Sequence, residues 1–118
     1  MPGVETRDFE SPDETRTPEK TTVELVKLAG GEIGRYTFQP GWRWSECIKP
    51  VVKTDSCQVD HVGYVVAGTL HVQHDDGTEA DLTPGDVYRV APGHDAWTVG
   101  DDPVVFVEFQ GAAHYAQG

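Results

Sequence analysis

The segment CQVDHVGYVVAGTLHV, residues 57–72, brings three side chains with metal-binding or acid–base chemistry together in front of an apolar run. Cys57, Asp60 and His61 lie within five residues of one another, and the apolar run after them ends at Gly68. A thiolate and an imidazole are ligands that Zn²⁺ prefers. Asp60 is adjacent to His61 and should point to the opposite face of an extended chain. The segment is therefore consistent with either a metal site or the polar lip of a β-barrel.

The rest of the sequence consists of short runs with high β-propensity, separated by residues typical of turns. These runs are expected to form the strands that position Cys57, Asp60 and His61. The runs cover residues 22–28, 32–38, 61–68, 69–74, 78–82, 87–90, 96–99 and 104–109. Glycines and prolines punctuate them, and no ten-residue window carries a convincing helical period. The pattern predicts an all-β domain, an antiparallel sandwich or barrel. The one long connection, residues 39–56, holds Trp42 and Trp44 and is predicted to form a packed flap.

Length and charge exclude several classes of protein. The chain has 118 residues, which indicates a single domain, and its formal net charge of −11 comes with no basic stripe. Nucleic acids and anionic membrane surfaces are therefore not expected partners. No segment approaches the roughly 18 apolar residues of a membrane span, and the N-terminus lacks the apolar core of a signal peptide. Cys47 and Cys57 are accordingly expected to be reduced thiols in a cytoplasmic protein.

The predicted barrel is flanked by polar ends. Residues 1–20 are rich in charged residues and proline and predict a flexible arm, with the alternative that Phe9 anchors it on the body or on a neighbouring subunit. The barrel domain is expected over residues 21–112, followed by a short tail over 113–118. The alternating run TVELVKL is a candidate for pairing with a second copy across a two-fold axis, which predicts a homodimer.

Two stretches, GYVVAGTLHV (63–72) and DDGTEADLTPGDVYRVAPG (75–93), resemble the two sequence motifs of the cupin superfamily, in the form of a small single-domain bacterial cupin. Gly68 matches the last glycine of the first motif. Gly85 opens the second motif, and Gly93 matches its later glycine. Glycine adopts the positive φ of tight turns without strain. The resemblance implies a single-domain, antiparallel jelly-roll β-barrel.

The resemblance also implies where a metal would bind. The metal-binding positions of the first motif fall on Asp55, Cys57 and His61, and the histidine of the second motif falls on Ala96. Three of these four side chains bind metals, and that of alanine does not. His94 lies two residues before Ala96, on the same face if the segment is extended, and is the candidate replacement.

This set of ligands indicates the kind of metal. A thiolate, one or two imidazoles and a carboxylate favour Zn²⁺, with Fe, Ni, Mn or Co as alternatives. Three protein ligands would leave one position open for water or substrate, as in catalytic sites. Candidate walls of a small-molecule pocket are the aromatic residues Tyr36, Trp42, Trp44 and Trp97.

Two hypotheses of different classes follow. The first is a cupin with a divalent-metal site and a small-molecule pocket, which leaves open whether the protein is an enzyme. The second is a metal-free barrel that binds or senses a small ligand. In the second case Cys57 is a small buried hydrophobic residue, and His94 hydrogen-bonds its own turn. A third alternative is that only contacts within an oligomer matter.

Overall fold

The computed structural model describes residues 3–110 and 115–116, which form a β-barrel with two short helices. In chain order the elements are β1 (Glu14–Arg16), β2 (Thr21–Leu28), β3 (Gly31–Phe38), α1 (Trp44–Cys47), α2 (Lys49–Val52), β4 (His61–Ala67), β5 (Thr69–His74), β6 (Glu79–Leu82), β7 (Val87–Val90), β8 (His94–Val99) and β9 (Val104–Gln110). Neither helix in this part of the chain is long and apolar enough to cross a membrane. The rest of the predicted tail over 113–118 lies outside the described residues.

The strands form two antiparallel sheets. One sheet has the strand order β1-β2-β3-β9-β4-β7, and the other has the order β6-β5-β8. Each strand pairing among the described residues is antiparallel. The consecutive strands β4 and β5 belong to different sheets, and β9 returns to lie between β3 and β4. These pairings confirm the prediction of an all-β, antiparallel jelly-roll barrel.

Alternating side chains of the strands fill the interior of the barrel. On β3 the large buried residues are Tyr36 and Phe38, and on β9 they are Val104, Phe106 and Glu108. Tyr36 stacks on Phe106 with ring centroids 4.7 Å apart. Full burial of each such apolar side chain contributes about 1.5–3 kcal/mol. The interior of the barrel is therefore largely filled by side chains rather than being a large open cavity.

The long connection between β3 and β4 is packed, as predicted, but it contains two helices that the sequence did not indicate. Each helix has only four residues, which is too short to display a helical period. Trp42 and Trp44 are both 2% exposed. The Trp42 ring stacks on Phe38 at 3.6 Å, and its indole N–H donates to the Thr21 hydroxyl over 2.9 Å. The flap thus contributes two indole rings to the barrel interior.

The N-terminal segment is attached to the barrel over part of the range predicted as a flexible arm, 1–20. Within that range β1 pairs with β2, with Glu14 opposite Leu25. The Arg35 guanidinium lies 5.2 Å from the centre of the Phe9 ring. This part of the chain therefore contacts its own barrel through β1 and through Phe9.

The position of β1 also removes the argument for the homodimer. Because β1 pairs with β2, β2 has a neighbour on each side and is not the free edge strand that the TVELVKL run predicted. The edges of the six-stranded sheet are β1 and β7. The homodimer stays a prediction, and pairing of two chains through this sheet would have to use one of those edges.

Candidate metal centre

The segment before β4 lies beside the start of β8 and brings Cys57 close to His94. The backbone N–H of Cys57 donates to the His94 carbonyl over 2.7 Å, and the N–H of Gly93 donates to the Cys57 carbonyl over 2.7 Å. Cys57 and His94 form an isolated antiparallel bridge. His61 is the first residue of β4, His94 is the first of β8, and both occupy buried positions of their strands. Three side chains from two separate parts of the chain therefore meet inside the barrel.

The three side chains are close enough to share one ion. One ligand atom from each of Cys57, His61 and His94 lies within 4.8 Å of the others. Cys57 Sγ is 3.6 Å from His61 Nε2, and all three residues are at most 5% exposed. Bonds of about 2.0–2.3 Å place two ligands of a tetrahedral Zn²⁺ roughly 3.3–3.8 Å apart. Small side-chain rotations are enough to bring these donors into that range, so the residues fit a metal.

Hydrogen bonds at the far ring nitrogens hold both imidazoles in place. His94 Nδ1 lies 2.7 Å from the Ala91 carbonyl and donates to it, which leaves the Nε2 lone pair for the cluster. His61 Nδ1 lies 2.6 Å from Glu108 Oε1, and its Nε2 faces Cys57. Partners of this kind orient metal-binding histidines and set their tautomer.

Glu108 is the site residue that the sequence analysis missed. It is 2% exposed, and its Oε2 accepts a hydrogen bond from the Tyr88 hydroxyl over 2.6 Å. Glu108 lies on β9 in the run VVFVEF, at an inward position that is otherwise apolar. A carboxylate at such a position was the available signal, since a buried charge needs a partner. That partner, His61, is 47 residues away in the sequence.

The electrostatics of the cluster favour a thiolate beside an imidazolium. Burial alone would raise the pKa of the Cys57 thiol, but the neighbouring His61 and His94 outweigh it and lower that pKa to about 6. Burial alone would lower the pKa of His61, but the Glu108 charge and the Cys57 hydrogen bond outweigh it and raise that pKa to about 10. The metal-free cluster therefore holds one proton on His61 at neutral pH, between two anionic side chains.

Together, Cys57 and His61 should contribute almost no pH dependence to the stability of the metal-free protein between about 6.5 and 9. In the unfolded chain the pKa values are 9.0 for Cys57 and 6.5 for His61, so in this window the proton sits on Cys57. In the folded protein it sits on His61, so the pair binds one proton in both states. The lowered pKa of Cys57 makes stability rise with pH, the raised pKa of His61 makes it fall, and the two effects cancel.

The variant Cys57→Ser separates these two effects. Only the raised pKa of His61 remains in it, so its free energy of unfolding should fall as pH rises from 6.5 to 9. Urea denaturation at several pH values compares the variant with the parent, and all other titrating groups are common to both. A variant whose profile runs parallel to that of the parent would contradict this arrangement of protons.

Two acidic residues near the cluster do not belong to it. Asp55, predicted as a ligand, is exposed and is not a member of the group formed by Cys57, His61 and His94. The chain bends at Asp55, so it does not run extended into Cys57 with both side chains on one face. Asp60 points away from the cluster, and its carboxylate pairs with the Arg89 guanidinium at 3.1 Å.

Trp97, predicted as a pocket wall, lies on the outer face of β8. Its ring is 4.1 Å from the Arg43 guanidinium and stacks on His71 with ring centroids 4.6 Å apart. Trp97 is three residues after His94, and an odd offset on a strand places a side chain on the opposite face. The other three aromatic residues of that prediction do line the interior.

The cavity against the cluster is small. It is lined by His61 and His94 and by the predicted pocket residues Tyr36, Trp42 and Trp44. Its volume is about 30 Å³, which accommodates roughly two water-sized groups. Aromatic rings occupy the space around it, so this inner cavity admits only a very small ligand. A separate cleft of about 230 Å³ borders Cys57 and Tyr115 from the side of the flap.

A wider cleft lies outside this cavity, next to β6 and β7, the edge strands of the two sheets. Its volume is about 250 Å³, and its walls include His74 and Arg89. Val72 and Val90 line both the outer cleft and the inner cavity. The two valines therefore lie between the cleft and the inner cavity.

Solved structures match this fold, whereas no protein-family model and no curated protein matches the sequence. A protein of unknown function from Rhizobium leguminosarum bv. viciae is 19% identical over 91% of this chain and 97% of that chain, with a TM-score of 0.61. A cupin-like protein from Thermotoga maritima is 17% identical over 80% of this chain and 70% of that chain, with a TM-score of 0.54. A cupin domain from Bordetella pertussis is 20% identical over 80% and 96%, with a TM-score of 0.53. At these identities the shared property is the fold.

Proposed function

Starting from the cupin fold of this chain, we propose that the protein binds one divalent metal ion inside its barrel through Cys57, His61 and His94. The observation that carries the proposal is the convergence of three buried donor atoms within 4.8 Å of one another. One thiolate and two imidazoles form a borderline-soft set, for which Zn²⁺ is the first choice and Fe, Co, Ni or Mn are the alternatives. With three protein ligands, one position is left for a small molecule.

The residues around the three ligands have distinct roles in this proposal. Glu108 orients His61 and fixes its tautomer through the bond to Nδ1, and Tyr88 in turn holds Glu108. The Ala91 carbonyl does the same for His94. A divalent ion in such a site supplies Lewis-acid chemistry to a bound molecule. The aromatic wall excludes bulk water, and the small molecule enters from the outer cleft past Val72 and Val90.

A metal-free thiol function is the second candidate, and the line of Cys57, His61 and Glu108 favours it. Cys57 Sγ lies 3.6 Å from His61 Nε2, and His61 Nδ1 lies 2.6 Å from Glu108 Oε1. Nucleophile, base and orienting acid follow in the same order in thiol hydrolases. The lowered pKa of Cys57, about 6, supports the nucleophilic thiolate form at neutral pH.

Metal analysis of protein purified without a histidine tag tests the leading proposal. Elemental mass spectrometry should find close to one equivalent of Zn²⁺ or another divalent metal per chain. His94→Ala removes a ligand and should lower that content strongly. Asp55→Ala is the matched control, since Asp55 is a potential ligand close to Cys57 in sequence but is exposed, and it should keep the full content.

Two other outcomes would decide against the metal. Protein that contains no Zn, Fe, Mn, Ni or Co and takes up none on addition contradicts the proposal. If Cys57 of that protein, which borders the cleft of about 230 Å³ beside the flap, is then alkylated rapidly by iodoacetamide at neutral pH, and slowly in His61→Ala, the thiol function is supported instead. Slow alkylation in both proteins leaves the metal-free binding or sensing barrel.

A further inference from the structure

Two buried tyrosine hydroxyls in the barrel interior have no hydrogen-bond partner among the residues that the structure describes. They belong to Tyr36, which is 0% exposed, and Tyr115, which is 3% exposed. An unsatisfied buried polar group costs about 1–3 kcal/mol, and most buried hydroxyls in proteins are satisfied. Two such groups in one small interior therefore point to a molecule that satisfies them.

Both tyrosines line the same inner cavity as His61 and His94, two of the three proposed ligands. The ring centroids of Tyr36 and Tyr115 are 4.9 Å apart, and they lie 6.5 Å and 5.6 Å from the centroid of His61. The hydroxyl of Tyr88, in the same cavity wall, is already used, because it donates to Glu108 over 2.6 Å. Among these three tyrosines of the cavity wall, only Tyr36 and Tyr115 therefore have a hydroxyl without a hydrogen-bond partner in the described part of the chain.

Each phenol hydroxyl carries one proton that it can donate in a hydrogen bond. Burial raises the pKa of Tyr36 well above its usual value, and the Glu108 charge raises it further. Burial also raises the pKa of Tyr115, and there the charges of Cys57 and Glu108 add to the effect. A ligand that accepts one hydrogen bond from each hydroxyl would therefore use the proton of both residues.

The size of the cavity limits that ligand. About 30 Å³ holds roughly two water-sized groups. The walls cannot retreat easily, because Phe38 is stacked on Trp42 at 3.6 Å and Tyr36 on Phe106 at 4.7 Å. A packed interior resists insertion of additional atoms.

We propose that this cavity binds a hydrogen-bond acceptor of two or three non-hydrogen atoms, which receives the hydroxyls of Tyr36 and Tyr115 beside Cys57, His61 and His94. The inference rests on the proposed metal-binding function and deepens it, because it names the class of ligand that the site takes. Larger organic molecules are excluded from the inner cavity and stop at the outer cleft.

Azide is a probe of the right size, with three atoms and acceptor ends. Calorimetric titration of the Zn²⁺-loaded protein with azide should show saturable binding, and the azide infrared stretch should shift on binding. Tyr36→Phe and Tyr115→Phe each remove one donor and keep the ring, so each should weaken azide binding about five- to tenfold. Tyr64→Phe is the matched control, since Tyr64 is 42% exposed, and it should leave the affinity unchanged.

Two further measurements complete the test. Acetate, with four non-hydrogen atoms, should not compete with azide. Tyr115→Phe should not lower the melting temperature of the ligand-free protein, because the Tyr115 hydroxyl has no hydrogen-bond partner among the described residues.

The outcomes separate this inference from the metal proposal. Acetate binding as tight as azide binding, or phenylalanine variants with unchanged azide affinity, overturns the inference and leaves the metal proposal standing. Azide binding to protein that takes up no metal, with the same loss in both variants, supports the inference and overturns the metal proposal. Absence of azide binding with and without metal overturns the inference.

Discussion

Zn²⁺ at a hundredfold excess over its dissociation constant should raise the free energy of unfolding by about 2.7 kcal/mol, because it binds the folded protein alone. His61→Ala should abolish this rise, and Cys57→Ser should reduce it strongly. Both residues are buried members of the three-residue cluster. Urea denaturation with and without Zn²⁺ measures the increment in each protein.

The increment, rather than the stability of each variant, is the quantity to compare. His61→Ala leaves the buried Glu108 carboxylate without its imidazole partner, and removing one partner of a buried pair costs about 3–5 kcal/mol by itself. Cys57→Ser keeps His61 and Glu108 together and so supplies a variant that folds. His71→Ala is the control, since His71 lies on the outer surface between Glu79 and Asp81, and its increment should equal that of the parent.

Acid should weaken the binding of Zn²⁺ in a predictable way. His61 carries a proton in the metal-free protein up to a pKa of about 10, so the ion has to displace that proton. The apparent affinity should therefore fall about tenfold for each unit of pH below that value. Below a pH of about 6 the Cys57 thiolate also takes up a proton, and the fall should become steeper. An affinity that does not change between pH 6 and 8 would contradict the protonation of His61.

Gly68→Ala should destabilise the fold by about 3 kcal/mol, the sum of a backbone and a packing cost. Gly68 joins β4 to β5 with a φ of +75°, which side-chain-bearing residues rarely adopt. An added Cβ would overlap the carbonyl oxygen of Pro103 and lie 2.8 Å from the Cα of Val104. These atoms are backbone at the start of β9, so they cannot move aside without disturbing the pairing of β9.

Gly77→Ala is the matched control for this substitution. Gly77 lies in the turn between β5 and β6 with a φ of +94°, and no atom of the described residues lies within 4 Å of an added Cβ. The variant keeps the backbone cost of about 1–2 kcal/mol and lacks the overlap. Both variants also lose the same chain entropy in the unfolded state, so this contribution cancels in the comparison. Equal unfolding free energies for the two variants would show that the close approach at Gly68 is relieved at no cost.

Local patterns in the sequence were enough to predict the strands β2 to β9 and the polar residues at the starts of β4 and β8. Strand alternation repeats every two residues, so β3, β5 and β9 could be read from short windows. The same rule placed His94 on the face of Ala96, because an even offset keeps the face, and both residues are buried in the structure. The spacing of Cys57 and His61 is also local, and the structure brings the two side chains to 3.6 Å.

Predictions from strand alternation were wrong where the chain bends, and where a residue was assigned to the inner face although its offset along the strand was odd. Asp55 was assigned to the face of Cys57 on the assumption of an extended segment, and the bend at Asp55 removes that relation. Trp97 was grouped with Trp42 and Trp44 by residue type, although its odd offset from His94 already placed it on the outside. β1 was missed because its three residues carry no pattern of their own and form a strand only against β2.

The sequence by itself therefore determined the barrel and the presence of a thiol and two imidazoles near its strand starts, since each depends on neighbours along the chain. Only the tertiary structure decided which other side chains contact Cys57, His61 and His94. Gly63 on β4 lies opposite both Tyr88 of β7 and Glu108 of β9. A Cβ at Gly63 would come within 2.7 Å of the Tyr88 hydroxyl. Because glycine has no side chain, Tyr88 and Glu108 can occupy the space above Gly63 and form the hydrogen bond that holds Glu108 against His61. Such a contact depends on the register between strands far apart in sequence, which local periodicity does not encode.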